Sequence, residues 1–176
     1  MRQSRKYKSP CAAMLWSLML PGFGQLYNRD YITGFALILL EVIINVKADL
    51  NLALLYSFRG KLIQAHEIGD LRWGLFYPSF YCFAMWQALN FAIDFNKRQQ
   101  GKGGAIRTYL SGFFLGLAIG MDFGLFWHDN KVAHIFPLMD YPVFNGLLFG
   151  LLFAGLGHFL EKNLYRKNKR PQTIKE

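Results

Sequence analysis

Cysteine, acidic residues and catalytic motifs are all scarce in this sequence. Its two cysteines lie near a basic N-terminal region (Cys11) and within an apolar run (Cys82), so we expect two thiols and no disulfide. The glycine-rich loop 101–104 lacks the Walker pattern, and the glycines of residues 22–24 do not continue into a dinucleotide fingerprint. No Gly-x-Ser-x-Gly or His-Glu-x-x-His pattern occurs. The sequence therefore predicts a non-catalytic protein without a cofactor.

Charged residues are also few, and they are confined to short blocks. They make up 18% of the chain, whereas hydrophobic residues make up 53% and include 17 phenylalanines. Largely uncharged runs of about 16 to 21 residues separate the blocks, which is near the length of a membrane-spanning helix. Most runs have no polar face at helical spacing, unlike the helices of a soluble protein. This pattern predicts an all-α, polytopic membrane helical bundle.

The net charge of +9 has two interpretations. A basic chain could bind nucleic acid, but no nucleic-acid recognition motif accompanies the charge. Proteins of bacterial cytoplasmic membranes hold Lys and Arg in their cytoplasmic loops, which explains the excess without such a partner. We therefore predict a bacterial, multi-pass protein of the cell membrane that has the lipid bilayer as its partner and binds no nucleic acid.

Four apolar runs are predicted to cross the membrane, at residues 31–46, 73–93, 108–127 and 141–160. Residues 49–67 place apolar side chains at helical spacing with polar side chains turned away, which predicts a helix in the outer interface. Residues 1–170 would form a single integral membrane domain. The charged residues 171–176 are predicted to be a disordered tail.

Residues 11–27 form a shorter apolar stretch, which Pro21 and Gly22 interrupt. Residues 11–20 would rise about 15 Å as a helix, half of a hydrocarbon core that is about 30 Å thick. If residues 11–27 enter and leave on one side, 15 of the 20 Lys and Arg are cytoplasmic, whereas five full crossings divide them 9 and 11. The positive-inside rule favours a re-entrant N-terminal helical hairpin with both termini cytoplasmic.

The hairpin carries a motif of turn-forming and polar residues. Its members are Pro21, Gly22, Gly24, Gln25, Tyr27 and Asn28. With Gly34 in the next span, most of them match the Pro-Gly-x-Gly-Gln-x-Tyr-x-Gly pattern of the two-transmembrane ("TM-two") domain family, which residues 10–46 resemble. Arg29 stands where that pattern has its last glycine. The resemblance implies a membrane protein that is accessory to other systems.

Two carboxylates, Glu41 and Asp122, lie inside predicted spans. Charged groups are costly in hydrocarbon and are a functional hypothesis by default. They could form a protonatable pair for transport, or each could be protonated or hydrogen-bonded within the bundle. Both interpretations remain open at this point.

A second polar set lies on one predicted helix. Gln87, Asn90 and Asp94 are spaced i, i+3 and i+7, so they share a helix face. We expect that face to meet Gln25 and Asn28 of the hairpin. A structural network is favoured here over a ligand site.

Glycines recur every four residues on the last two predicted spans. They are Gly112, Gly116, Gly120 and Gly124, followed by Gly146 and Gly150. Such spacing forms a groove that lets two helices approach closely. The groove predicts either a homodimer interface or, with more weight, packing of these two consecutive spans on one another.

The function predicted from these features is that of an accessory or scaffold protein acting through membrane helix contacts. Its partner would be another membrane protein or a second copy of the chain. The alternative is a small transporter or channel component that uses Glu41 and Asp122. The His and acidic residues of the outer loops match no known metal-site spacing, so no metal site is predicted. A membrane enzyme using those residues is the third and weakest hypothesis.

Overall fold

A computed structural model describes residues 7–101, 108–127 and 141–169, and every regular element within them is an α-helix. This confirms the predicted all-α class. The chain divides into two compact units, Met1–Tyr109 and Leu110–Glu176. The helices of the first unit are α1 (Pro10–Met19), α2 (Phe23–Tyr27), α3 (Tyr31–Lys47), α4 (Leu50–Phe58), α5 (Leu62–Ile68), α6 (Leu71–Gly74) and α7 (Phe76–Gln99). Those of the second unit are α8 (Ser111–Phe126) and α9 (Pro142–Lys169).

Residues 11–27 are two helices with a sharp break between them. The Ser9 hydroxyl accepts a hydrogen bond from the Ala12 N–H (3.3 Å) and caps α1, and Pro10 occupies its first turn. The helix ends before Pro21, which has no N–H to donate to the preceding turn. Gly22 then adopts φ +105°, a left-handed conformation that glycine tolerates best. The chain therefore turns at residues 20–22 and enters α2.

The helix predicted over residues 49–67 is instead two short helices, α4 and α5. The N–H groups of Arg59, Gly60 and Lys61 bond to carbonyls of the last turn of α4, and Gly60 takes φ +72°. This turn separates Phe58 from Leu62. α4 also leaves the end of α3 at a bend of 67°. The prediction missed the break because the apolar spacing continues through Gly60, although the backbone does not continue as helix there.

Only part of the predicted set of spans meets the length and hydropathy of a membrane-crossing helix. Among the described residues, Val143–Arg166 of α9 does so alone, and α3 with α4 does so as a bent pair. α8 has 16 residues, a rise of about 24 Å, which is less than a bilayer core. α7 is long enough at 24 residues, but its last turns are polar and basic. The predicted four full crossings are therefore not all visible as continuous apolar helices.

α7 is the helix on which the first unit is built. α1 and α2 pack along it through small side chains, and Ala13 of α1 is fully buried with Ala88 and Ala92 of α7. Gly24 of α2 packs against both α1 and α7, because a methyl group there would overlap the Ala13 carbonyl of α1 and lie 2.8 Å from the Ala88 methyl of α7. The helices α1, α2 and α7 therefore lie close to one another, and small residues line the contacts between them.

The second unit is the antiparallel pair α8 and α9. A methyl group added at Gly116 would lie 2.7 Å from the main-chain carbonyl carbon of Phe153, and Gly112, Gly120 and Gly124 meet the α9 backbone in the same way. The close approach of two backbones explains why glycine recurs every four residues. The side-chain amide of Asn145 adds a hydrogen bond to the Gly124 carbonyl (2.7 Å).

Three predicted segments fall wholly or partly outside the described residues. They are the end of the basic loop, residues 102–107, the outer loop 128–140, and the tail 171–176.

Candidate functional site

The polar core of the first unit is centred on Gln25. This side chain is 0% exposed, and its amide nitrogen donates to the Ala84 carbonyl and to Oε1 of Gln87, both at 2.8 Å. Its Oε1 accepts from the hydroxyl of Ser17 (3.2 Å). Gln25 therefore joins α1, α2 and α7 at one point. Burying an amide is favourable only when its donors and acceptors are paired in this way.

Asn28 and Asn96 hold the two ends of the same hairpin to α7. Asn28 donates from Nδ2 to the Ala88 carbonyl (2.8 Å), whereas its Oδ1 is buried and accepts no hydrogen bond from the described residues. Asn96 exchanges two hydrogen bonds with the main chain of Lys8, at 2.9 Å and 2.6 Å. The entry of the hairpin is therefore tied to the last turn of α7 and its exit to the middle of that helix.

Lys8 is held between the hairpin and α7. Its ammonium group donates to the Asn28 carbonyl and lies 4.0 Å from the ring centre of Phe95 and 5.1 Å from that of Phe91. Partial burial lowers the pKa of Lys8, and the nearby positive charge of Arg29 lowers it further, against a smaller opposing effect of Asp30. Lys8 thus has cation–π contacts and a carbonyl acceptor, and no carboxylate of the described residues bonds to it.

The turn after α2 ends in a Schellman motif with arginine in the usual glycine position. The N–H of Asp30 donates to the Gln25 carbonyl and that of Arg29 to the Leu26 carbonyl, both at 2.9 Å. Arg29 itself has φ +62°. Asp30 then caps α3 through Oδ1, which accepts from the Thr33 N–H (3.4 Å), and its Oδ2 accepts from the Gln87 amide (3.1 Å).

Glu41 lies on the buried side of α3, at 5% exposure. The hydroxyl of Tyr77 donates to its Oε1 at 2.6 Å, and Tyr77 also contacts the Tyr81 hydroxyl at 3.3 Å. Its Oε2 accepts no hydrogen bond from the described part of the chain. This cluster of one carboxylate and two phenols joins α3 to α7.

The remaining predicted polar residues have local roles. Asn90 exchanges hydrogen bonds with the main chain of Tyr109, its Oδ1 accepting at 2.6 Å and its Nδ2 donating at 3.1 Å, and Nδ2 also donates to the Trp86 carbonyl. Asp94 pairs with Arg98 one turn later at 2.7 Å. Of the predicted set on α7, Gln87 is therefore the residue that bonds to Gln25.

Glu41 and Asp122 belong to different units of the chain. Glu41 is buried on α3, and Asp122 is half-buried on α8.

Tyr27 of the predicted motif lies where the two ends of the hairpin meet, and its hydroxyl accepts from the Ser9 N–H (3.1 Å).

Several residues of this core were not predicted from the sequence. Ser17 and Tyr77 lie inside predicted apolar segments and Asn96 follows the predicted span 73–93, and their partners lie 8, 36 and 88 residues away. The polarity of Ser17 and Tyr77 within apolar segments is a signal that could have found them, whereas Asn96 lies in a stretch that was predicted to be a polar loop. Periodicity alone does not state which residue of another helix stands opposite.

Within the described residues, no group of three or more His, Cys, Asp or Glu side chains could hold a metal ion. His128, Asp129, His134 and Asp140 of the outer loop lie outside the residues that the structure describes. Neither Cys11 nor Cys82 is in a disulfide.

The most deeply buried large side chains of the described residues are mostly polar, whereas many large apolar side chains are exposed. The largest fully buried side chains among the described residues are Gln25, Asn28, Pro21 and Ser17. Large apolar side chains are instead exposed, for example Ile32 at 88%, and those of α1, α3, α8 and α9 are exposed along most of each helix.

The fold and this site define an all-α protein that buries several polar side chains and exposes many large apolar ones. No protein-family model matches the chain, and comparisons with curated proteins and with solved structures gave no match. The resemblance of residues 10–46 to the TM-two domain family therefore stays a prediction.

Proposed function

We propose that this chain is a polytopic integral protein of a bacterial cytoplasmic membrane, and that it acts as a non-catalytic accessory or scaffold protein through helix contacts in the bilayer. The observation that carries the proposal is the large number of exposed apolar side chains, together with the full burial of Gln25 and Asn28. In water, an apolar surface of that extent favours aggregation, whereas in lipid it is the surface expected of a helix bundle.

Helices that are too short to cross a bilayer, such as α1 and α2, can still lie within it if neighbouring helices cover them. Broken backbone at membrane depth is tolerated where protein covers it. Pro21 and Gly22 are buried, and the two nearest helices, α3 and α7, pack against the α1–α2 hairpin. We therefore propose that α1 and α2 form a re-entrant hairpin, entering and leaving on the cytoplasmic side, and that α3, α7, α8 and α9 cross.

A scaffold role fits the kind of site that the chain contains. The buried amides of Gln25, Asn28 and Asn96 each donate to a main-chain carbonyl, which supports a structural role for them. The large exposed side chains on α1, α3 and α9 are mostly apolar and suit contacts with lipid or with helices of another membrane protein.

Cysteine accessibility tests the topology. In a background with Cys11→Ser and Cys82→Ala, single cysteines are placed at Tyr7 and Arg29, one on each side of the hairpin. A re-entrant hairpin puts both on the cytoplasmic side, so an impermeant maleimide should label neither in intact cells and both after permeabilisation. A full crossing puts them on opposite sides, so labelling of one position alone would refute the hairpin.

Site-specific photocrosslinking tests the scaffold role. A photoreactive amino acid at Ile32 or Leu151, both exposed and apolar, should give a discrete protein adduct in native membranes from at least one of the two helices. The same group at buried Leu37 is the matched control and should give none. Lipid adducts alone from every exposed position of α1, α3 and α9 would contradict a scaffold.

Transport is the second candidate, and Glu41 is the observation that favours it. This carboxylate is almost fully buried, and one of its oxygens accepts no hydrogen bond from the described residues. In a bilayer, such a group is a functional hypothesis by default. Proteoliposomes with an internal pH dye distinguish the candidates. Proton flux that Glu41→Gln abolishes would favour transport, and flux equal to that of empty vesicles would exclude it.

A further inference from the structure

Two positive charges meet where the hairpin returns to its starting side. The Lys8 ammonium donates to the Asn28 carbonyl, and Arg29 is the next residue in the chain. Arg29 is exposed, whereas Lys8 is half-buried against the rings of Phe91 and Phe95. A fixed cation thus lies beside an accessible one.

The nearest carboxylate forms no ion pair with either of them. Asp30 is the neighbour of Arg29, and its two oxygens accept from the Thr33 N–H and from the Gln87 amide. No carboxylate of the described residues forms an ion pair with Lys8 or Arg29. Burial is the main cause of the lowered pKa of Lys8, and the charge of Arg29 lowers this pKa further and acts on it more strongly than the opposing charge of Asp30. An anion placed between the two cations would relieve their repulsion.

The backbone of Arg29 indicates that its side chain has a use beyond the turn. At φ +62° the residue occupies the position of the Schellman motif where glycine is free of strain. Strained positions of this kind persist where the surrounding structure fixes them, and they cluster at ligand sites. Here the residue that takes the left-handed conformation is an arginine beside Lys8.

The surroundings suit a lipid better than a free anion. Tyr27, whose hydroxyl bonds to the Ser9 N–H, and Tyr31 are both exposed at this end of the hairpin. Exposed tyrosines are typical of the headgroup level of a bilayer. In the first two turns of α3, Ile32 and Phe35 are 88% and 64% exposed, in position to contact acyl chains.

We propose that Lys8 and Arg29 bind the phosphate of an anionic phospholipid from the cytoplasmic leaflet, with Ile32 and Phe35 against its acyl chains. Arg29 supplies the N–H donors to the phosphate oxygens, and Lys8 adds a fixed positive charge. The inference rests on the proposed membrane location of the hairpin. It goes beyond that location by naming the class of lipid that the hairpin binds.

Thermal unfolding of the purified full chain in detergent tests this site. Phosphatidylglycerol is titrated against phosphatidylcholine and, in a third arm, inorganic phosphate. Phosphatidylglycerol should raise the unfolding midpoint, whereas the other two should not. Arg29→Gln should lower its affinity about tenfold, as expected for one lost charge-assisted contact. Arg29→Lys should lose less, and Arg59→Gln, which removes an exposed arginine elsewhere, should match the unaltered chain.

Native mass spectrometry of the same variants counts bound lipid directly, which keeps the test valid if a variant unfolds early. An equal shift for Arg29→Gln and Arg59→Gln would overturn the site, as would equal stabilisation by the two lipids. An equal shift with inorganic phosphate would show a free-anion site and overturn the lipid assignment. Carbonate extraction is measured in parallel. A chain that is released from membranes refutes the proposed function, whereas a retained chain without lipid preference refutes this inference alone.

Discussion

Replacing Gln25 with leucine tests whether hydrogen bonds hold the hairpin on α7. Gln25 is fully buried and makes three side-chain hydrogen bonds, two as donor and one as acceptor. Leucine has a similar volume and a similar helix propensity, so the change removes the bonds while it largely preserves packing and backbone preference. The Ser17 hydroxyl, which is also fully buried, loses its acceptor in the variant.

The size of the effect follows from the three bonds. A typical intramolecular hydrogen bond contributes about 0.5–1.5 kcal/mol net, and interhelical bonds measured in a membrane protein average about 0.6 kcal/mol. Three bonds therefore amount to about 2–3 kcal/mol. The greater apolarity of leucine offsets a part of this loss, but the Ser17 hydroxyl and the Gln87 carbonyl remain without their partner. We expect Gln25→Leu to lower the free energy of unfolding by about 2 kcal/mol.

Unfolding in mixed micelles, followed by tryptophan fluorescence, measures this difference. Gln64→Leu is the matched control, because Gln64 is exposed on α5 and makes the same chemical change without burial. For a chain of this size, about 2 kcal/mol corresponds to a midpoint about 4–8 °C lower. If Gln25→Leu and Gln64→Leu unfolded at the same midpoint, the network would not be what fixes the hairpin.

Three further predictions concern other contacts of the two units. Gly116→Ala should destabilise the α8–α9 pair by about 1–3 kcal/mol, because its methyl would overlap the main-chain carbonyl of Phe153 and lie 2.7 Å from the carbon of that carbonyl. Gly155→Ala, which meets nothing within 4 Å, should be neutral or stabilising in the same thermal assay. Tyr77→Phe should lower the free energy of unfolding by about 1–3 kcal/mol, because it leaves the Glu41 carboxylate without its hydrogen-bond donor. Adding Glu41→Leu should restore most of that loss, and additive losses in the double-mutant cycle would argue against the Tyr77–Glu41 pair. Arg29→Gly should raise the free energy of unfolding by about 1 kcal/mol in the absence of lipid, since glycine adopts the left-handed turn without strain. A lower unfolding midpoint than that of the unaltered chain would contradict the conclusion that the Arg29 backbone is strained.

The sequence predicted features that depend on residues near one another in the chain. Pro21 and Gly22 identify a helix break because one removes a backbone donor and the other permits a positive φ. The four-residue glycine spacing of α8 identifies a face that approaches another backbone. Both arguments need only the chemistry of a single helix or turn.

Contacts between distant helices were harder to predict. The shared face of Gln87, Asn90 and Asp94 follows from helical spacing, but Asn90 is rotated about 60° from Gln87 and bonds to Tyr109. Glu41 was recognised as a buried carboxylate, whereas its partner Tyr77 was not. Spacing defines the faces of a helix. It carries no information on which face of which other helix lies opposite, and at what height.

Hydropathy was a weak guide to the interior because both sides of the helices carry apolar residues here. In a soluble helix, the apolar stripe marks the buried side. The exposed side of α3 is apolar, as at Ile32 and Phe35, and its buried side carries Gly34 and Glu41 as well as Leu37 and Ile44. Small size and isolated polarity therefore mark the inward face better than hydrophobicity does. The small residues Ala84, Ala88 and Ala92 would therefore have identified the buried side of α7 correctly. Hydrophobicity alone does not identify that side.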